Sequence, residues 1–276
     1  MSLYRKDIDS LGEVQVPASA YYGPFTVRAS LQYNVTGQCS HINMIRAFAM
    51  IKRSAALANK DLGVLEAQKA DAIVKASDEI LSGKLVDQFI IDAINSGAGT
   101  AVNMNANEVI ANRALEIINK KKGDYLILSP NDHVNMSQSS NDTYPTAMHV
   151  AILLNLQEVK TALTALTSSL EKKAEEFKEL IKIGRTHLIN AIPVTLGSEF
   201  SEYSFSLRRG LEKIDQSCLE LEYVALGGTA VGTGANAPRG YKELAVKYLA
   251  QTSTLPLVVL PIVYIMRSIS PNTDAI

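Results

Sequence analysis

The sequence predicts an all-α protein: an elongated long-helix bundle preceded by a smaller, mainly helical N-terminal domain. Three observations predict this. Ala, Leu, Ile, Glu and Lys dominate the 276 residues, Trp is absent and aromatics are only 6%, a composition that favours helix over sheet. No alternating apolar and polar run of useful length marks a strand, and the nearest, YLIL at 125–128, is too short to carry a sheet. Two long stretches place apolar residues at alternating steps of three and four, the seam of helices packed nearly parallel. The boundary is expected at 141/142, giving an N-terminal domain of residues 1–141 and a central bundle of residues 142–276.

The elements follow in chain order. Residues 1–36 are mixed, with VPASAYYGP as turn-like punctuation. From His41 the helical pattern INMIRAFAMIKRSAALANKDLG runs to Gly63, a fitting left-handed stop. A second helix, EAQKADAIVKASDEILSG, stops at Gly83. Asn105 or Asn107 is placed to cap a third, NEVIANRALEIINKK, which ends at Gly123. Residues 129–141 (SPNDHVNMSQSSN) are almost wholly polar. Asp142 then caps a long helix with Pro145 in its first turn. Its seam is Leu156, Val159, Leu163, Leu166, Leu170, Phe177 and Ile181, with Ala174 filling the gap. A second seam runs Leu207, Leu211, Ile214, Cys218, Leu221. IGRTHLINAI (183–192) connects the two and ends at Pro193. A Gly-rich loop, ALGGTAVGTGANAP, follows at 225–238. Both seams read as bundle core.

Composition excludes several classes. Lys plus Arg is 27 and Asp plus Glu is 28, so bulk charge drives binding to neither nucleic acid nor anionic membrane. The N-terminus MSLYRKDIDS has no apolar signal region, and no apolar run approaches a bilayer span. Two cysteines, Cys39 and Cys218, make no disulfide framework, so a reducing cytoplasm is the expected location. No metal-ligand spacing appears and no cofactor motif survives scrutiny. The 227–234 segment GGTAVGTG follows a helix, not a strand, and lacks Gly-Lys-Ser/Thr, which excludes a phosphate loop.

Three segments concentrate hydroxyl and amide side chains. They are GAGTAVNMNANE (97–108) with Thr100, Asn103 and Asn105; SQSSND (137–142) with Ser139, Ser140 and Asn141; and GRTH (184–187) with Thr186 and His187. Each alone reads as a loop with caps and Asx turns. Together they can hold a carboxylate through neutral donors and stabilise charge that develops during a reaction. Distance constrains them. Residues 144–181, if one helix, span roughly 57 Å, so SQSSN and GRTH cannot meet in one protomer. A site using both forms between subunits, which predicts a homo-oligomer.

With these residues in view, GAGTAVNMNANEVIANRA (97–114), SPNDHVNMSQSSNDTYPTAMH (129–149), GRTHLINAIPVTLGSEF (184–200) and LGGTAVGTGANAP (226–238) resemble the aspartase/class II fumarase family. The likeness covers most of residues 7–255. It implies a homotetramer around a many-helix core, acting on a small dicarboxylate without cofactor. Each active site then draws on three subunits. Within the family, Ala101–Val102 stands where fumarases carry a Gln, and SAALAN (54–59), DQFIID (87–92) and NTDA (272–275) also lean toward aspartases. Ser140 leans toward fumarases. The substrate loop weighs more, which implies a carbon–nitrogen lyase that eliminates ammonia from L-aspartate to give fumarate. Class II fumarate hydratase is the alternative, and a catalytically silent helical scaffold is a second.

The resemblance implies roles. Thr100, Ser139 and Ser140 stabilise an aci-carboxylate, Asn141 and His187 hold the amino group, and Thr186 contacts the α-carboxylate. His133 belongs to a segment near a secondary anion site in fumarases, and a structural role is expected for it. The family's loop Gly-Ser-Ser-x-Met-Pro-x-Lys-x-Asn-Pro, whose second Ser is the general base, has no match in residues 1–276. Residues 258–270 also depart from the family pattern. The expectation is an N-terminal portion of a longer lyase, inactive alone.

Overall fold

A computed structural model describes residues 3–95 and 97–260. Helix dominates it. The elements are β1 (Tyr4–Asp9), β2 (Gly12–Pro17), α1 (Pro24–Gln32), α2 (Ile42–Asp61), α3 (Ala67–Leu81), α4 (Thr100–Ile117), α5 (Ser140–Glu176), β3 (Ile181–Thr186), β4 (Ile189–Thr195), α6 (Leu196–Leu221), β5 (Tyr223–Val224), α7 (Tyr241–Ser253) and β6 (Val258–Val259). No helix among the described residues is long and apolar enough to cross a membrane. The chain divides into two compact units: residues up to Ile152 with those from Glu222 on, and Leu153–Leu221.

In the first unit α2 packs on α3 and α7, and α3 on α4. Small side chains (Ala47, Ala55, Ala58, Ala70, Ala76, Ala106, Ala111) line these contacts, so the helices approach closely around Phe48, Ile51, Ile73, Ile80, Ile110 and Leu249. The stops at Gly63 and Gly83 hold. Gly63 takes φ 71 while the N–H of Val64 bonds the carbonyl of Asn59; Gly83 takes φ 91 and Lys84 does the same to Glu79.

Several expectations are corrected. α4 starts at Thr100, with Gly99 as its cap, so neither Asn105 nor Asn107 is a cap; both are buried inside the helix. It ends at Ile117, short of Gly123, with Asn119 in the left-handed region at φ 59. α4 is buried on nearly every face, and several of its polar residues bond to other segments. The Glu108 carboxylate accepts from the N–H groups of Gly23, Phe25 and Thr26 at the start of α1, and Asn112 reaches the carbonyl of Tyr21 and the Tyr125 hydroxyl. Apolar periodicity is therefore weak where burial is greatest.

Strands do exist. β1 and β2 form an antiparallel hairpin with Asp9 opposite Gly12, and β3 and β4 form another with Thr186 opposite Ile189. The connector expected at 183–192 is this second hairpin, and Pro193 lies within β4 opposite Ile183 instead of ending the segment. In a two-stranded hairpin each strand is an edge, so the missing N–H of proline costs little. Residues 258–259 of the segment that departs from the family pattern pair in parallel with β5. Its remainder from 261 on, and NTDA (272–275), lie outside the described residues.

The second unit holds most of α5, the β3–β4 hairpin and α6. α5 is one helix of 37 residues and α6 one of 26. Ion pairs Lys160–Asp215 and Arg208–Glu171, with an edge-to-face contact of Phe177 on Phe200, tie them together. Leu156, Leu163, Leu170 and the whole α6 seam are half-buried, but Val159 and Leu166 remain 44% and 49% exposed. Phe177 and Ile181 lie beyond the end of the helix.

Candidate active site

Ser139 closes the start of α5. Its hydroxyl accepts from the N–H of Asn141, and its own N–H donates to the Asp142 carboxylate at 2.9 Å, a reciprocal capping box. Ser139, not Asp142, is thus the cap, and Pro145 falls a turn deeper than expected. The second Asp142 oxygen accepts from the N–H groups of Gly227 and Thr229 at 3.1 and 2.8 Å. Asp142 is buried, and burial pushes its carboxyl up to about 6 against the pull of those N–H groups and of Lys52. Asn141 donates to the carbonyl of Ala230 at 2.8 Å. The Gly-rich loop is therefore pinned beside the α5 start.

α4 begins against the same turns. Gly99 sits at φ 80, and a Cβ there would lie 2.0 Å from the Tyr144 ring, so glycine lets the two helix starts close. Thr100 follows, its hydroxyl donating to the carbonyl of Gly97 at 2.6 Å. One turn on, buried Asn103 donates to the Ser140 hydroxyl oxygen at 3.0 Å, which joins the first two polar segments. Below them lies Lys52 from α2, fully buried. Its ammonium donates to the side-chain oxygens of Asn103, Asn135 and Gln138 at 2.7, 2.8 and 2.9 Å. Burial holds the Lys52 ammonium down to about 7, with the Asp142 charge opposing.

Thr186 and His187 occupy the β3–β4 turn in the other unit. His187 and Leu188 are its two central residues, at φ 49 and φ 65, both in the left-handed region that a tight hairpin turn demands. Neither is the Asn or Gly that such a turn prefers. Among the described residues neither the Thr186 hydroxyl nor the His187 ring has a hydrogen-bond partner, and both side chains are exposed. Non-glycine residues held at positive φ store strain, a common mark of a functional position.

A family model described as Lyase matches residues 12–276. The chain belongs to this lyase family, that of the aspartases and class II fumarases. It is 52% identical over 255 residues to an aspartate ammonia-lyase of Bacillus subtilis, covering 92% of this chain and 54% of that protein. It is 47% identical over 253 residues to a class II fumarate hydratase of Thermosynechococcus vestitus, covering 91% and 54%. Among solved structures, a fumarate lyase:delta crystallin from Brucella melitensis bound to cobalt superposes with a TM-score of 0.91 at 45% identity, over 95% of this chain and 57% of that one. The chain thus spans about half the length of the curated relatives it matches.

The structure brings together Ser139, Ser140, Asn141 and, through Asn103 and Gly99, the start of α4 with Thr100. Thr186 and His187 belong to the other unit. His133 is anchored, its Nδ1 accepting from the N–H of Ser129 at 2.9 Å and its Nε2 lying 3.2 Å from the Lys69 ammonium; burial and that cation lower its pKa. His41 caps α2, and His149 meets the carbonyl of Tyr223. Lys52, Asn135 and Gln138 were not singled out from the sequence. A signal existed for Lys52: it lies four residues after Phe48 and three before Ala55, on the buried face of α2.

Proposed function

We propose that this chain is the substrate-gripping portion of an aspartate ammonia-lyase, which eliminates ammonia reversibly from L-aspartate to give fumarate. The observation that carries the reading is the Asn103–Ser140 hydrogen bond, which merges two hydroxyl-rich segments into one patch where α4 and α5 begin. Helix starts favour negative charge, and the hydroxyl and amide donors there carry no charge of their own. The proton lost lies beside the β-carboxylate, so its removal places a second negative charge on that group. Thr100, Ser139 and Ser140 stabilise this aci-carboxylate with bonds that strengthen as charge builds. Thr100 must first turn its hydroxyl away from Gly97. Asn141 keeps its side-chain oxygen free of donors among the described residues, fit to accept from the substrate ammonium beside His187. Thr186 takes the α-carboxylate.

The third segment comes from another copy in this reading. α5 is unbroken for 37 residues, about 55 Å, with Ser140 at its first residue and Thr186 beyond its last. The exposed Val159 and Leu166 on the α5 seam ask for a cover, which supports a homotetramer whose helices share one core. Class II fumarate hydratase is the second reading, favoured by Ser140. Hydroxide is a poor leaving group, so malate would demand protonation through His187.

The test is fumarate formation at 240 nm. Residues 1–276 alone should yield none, because their sequence contains no Gly-Ser-Ser-x-Met-Pro loop. Mixed with the C-terminal portion of the Bacillus subtilis relative, which supplies the remaining length, they should consume L-aspartate. Turnover of malate instead would move the assignment to the hydratase. An assembled mixture silent toward both would leave the scaffold reading.

A further inference from the structure

We propose that Lys52 is a positioning residue that sets the polarity of Ser140, acting through the Asn103 amide; the inference rests on the dicarboxylate reading above. An ammonium only donates. Three oxygens at 2.7, 2.8 and 2.9 Å take its three N–H bonds, so the amides of Asn103, Asn135 and Gln138 must all turn their oxygens inward. Their NH2 groups consequently face away from the lysine. Those of Asn135 and Gln138 bond carbonyls of the 134–138 segment. That of Asn103 donates to the Ser140 hydroxyl at 3.0 Å and to the Asn135 side-chain oxygen at 3.3 Å, while the Thr143 hydroxyl, 3.2 Å from the Asn103 oxygen, supports the same orientation.

This fixes what Ser140 offers. With its oxygen accepting from Asn103, the hydroxyl hydrogen points elsewhere, and among the described residues it has no acceptor. An anionic carboxylate needs that hydrogen. Were the Asn103 amide reversed, its oxygen would draw the Ser140 hydrogen inward. Ser140 would then present lone pairs to the ligand, and attraction would become repulsion. A buried cation surrounded only by neutral oxygens is costly to keep. Here it gives a direction to a chain of groups that could otherwise point either way.

Asn103→Asp separates polarity from packing. It keeps size and gains an ion pair with Lys52, but its outer oxygen must take the Ser140 hydrogen. Binding of succinate, a dicarboxylate probe, is measured by calorimetry on residues 1–276. The proposal expects Asn103→Asp to weaken binding at least tenfold without lowering the melting temperature. In a Ser140→Ala background the same change should alter binding less than twofold. An equal loss in both backgrounds would mean simple charge repulsion and would overturn the proposal. Nuclear Overhauser contacts give a second reading: the Asn103 NH2 protons should lie close to the Ser140 β-protons in the parent chain, and Lys52→Met should scatter that contact. If the parent chain takes up no succinate, the dicarboxylate reading fails, and the amide spectra alone judge Lys52. An NH2 group facing Ser140 upholds its role, and a reversed amide refutes it.

Discussion

The polar groups at the start of α5 and those in the β3–β4 turn serve one proposed site but differ in physical character. Around Ser140 the groups are buried or half-buried and organised in advance. Asn103 has no exposed surface, Lys52 has none, and the bonds among them run from α2 through α4 to α5. In the turn, Thr186 and His187 stand in solvent, with His187 and Leu188 in the left-handed region, and the hairpin is held by its strand pairing and an Arg185–Asn190 side-chain bond. The order of the first patch is set by bonds within its own unit. The second has polar side chains and strain, but among the described residues its Thr186 hydroxyl and His187 ring have no hydrogen-bond partner. That asymmetry fits the proposal of a site shared between copies, in which one half would carry the precision and the other would be delivered by assembly.

Substitutions should expose the contrast. Lys52→Met removes the donor shared by Asn103, Asn135 and Gln138 and leaves the Gln138 oxygen without one, so it is expected to cost about 2 kcal/mol of stability, read as a lower urea midpoint. A midpoint unchanged within error would mean the network contributes little order.

The next largest effect is a pH slope. The Lys52 ammonium titrates at about 7 in the fold against an ordinary 10.5, so between these values the unfolded chain binds more protons at this residue than the native one does. Stability from this group should therefore rise with pH across that window, by up to about 1.4 kcal/mol per pH unit, and fall as pH drops toward 7. The slope should vanish in Lys52→Met. Asp142 acts in the opposite sense at lower pH: its carboxyl is raised to about 6 from 3.8, so its contribution falls as pH rises between those values.

The turn should respond least. Leu188→Gly relieves a left-handed residue and should raise stability by up to about 1 kcal/mol. His187→Ala, at an exposed ring without a partner, should stay within about 0.5 kcal/mol in urea unfolding. A large loss from His187→Ala would show that the turn is held by contacts of its own and would remove the contrast.

Much of this was legible in the sequence, for reasons that individual residues explain. Gly63 and Gly83 stop their helices because a left-handed residue is needed there and glycine supplies it without strain. The α5 and α6 seams are visible because long amphipathic helices repeat their pattern many times. α4 hid its start because its buried face carries polar residues, among them Asn103, Asn105 and Glu108, whose partners come from distant segments that no local pattern reveals. The β3–β4 hairpin was hidden by Gly184 and Pro193, which break a strand pattern yet are tolerated between two edges. Ser139, Ser140, Asn141, Thr186 and His187 were visible as clusters of side chains with chemistry. Lys52 was not, because a lysine in an amphipathic helix looks like a surface charge until its three acceptors arrive from α4 and the 135–138 loop.

The central claim, that the two halves meet only between copies, is open to direct measurement. Ser140→Cys and His187→Cys are placed singly in two batches of chain lacking Cys39 and Cys218, then together in a third. After assembly each is treated with a short bismaleimide linker and run on a denaturing gel. The account predicts a product of twice the chain mass from the mixture of single variants, and only intermolecular products from the double variant. A double variant that closes on itself at the mass of one chain, with no cross-linking in the mixture, would contradict it.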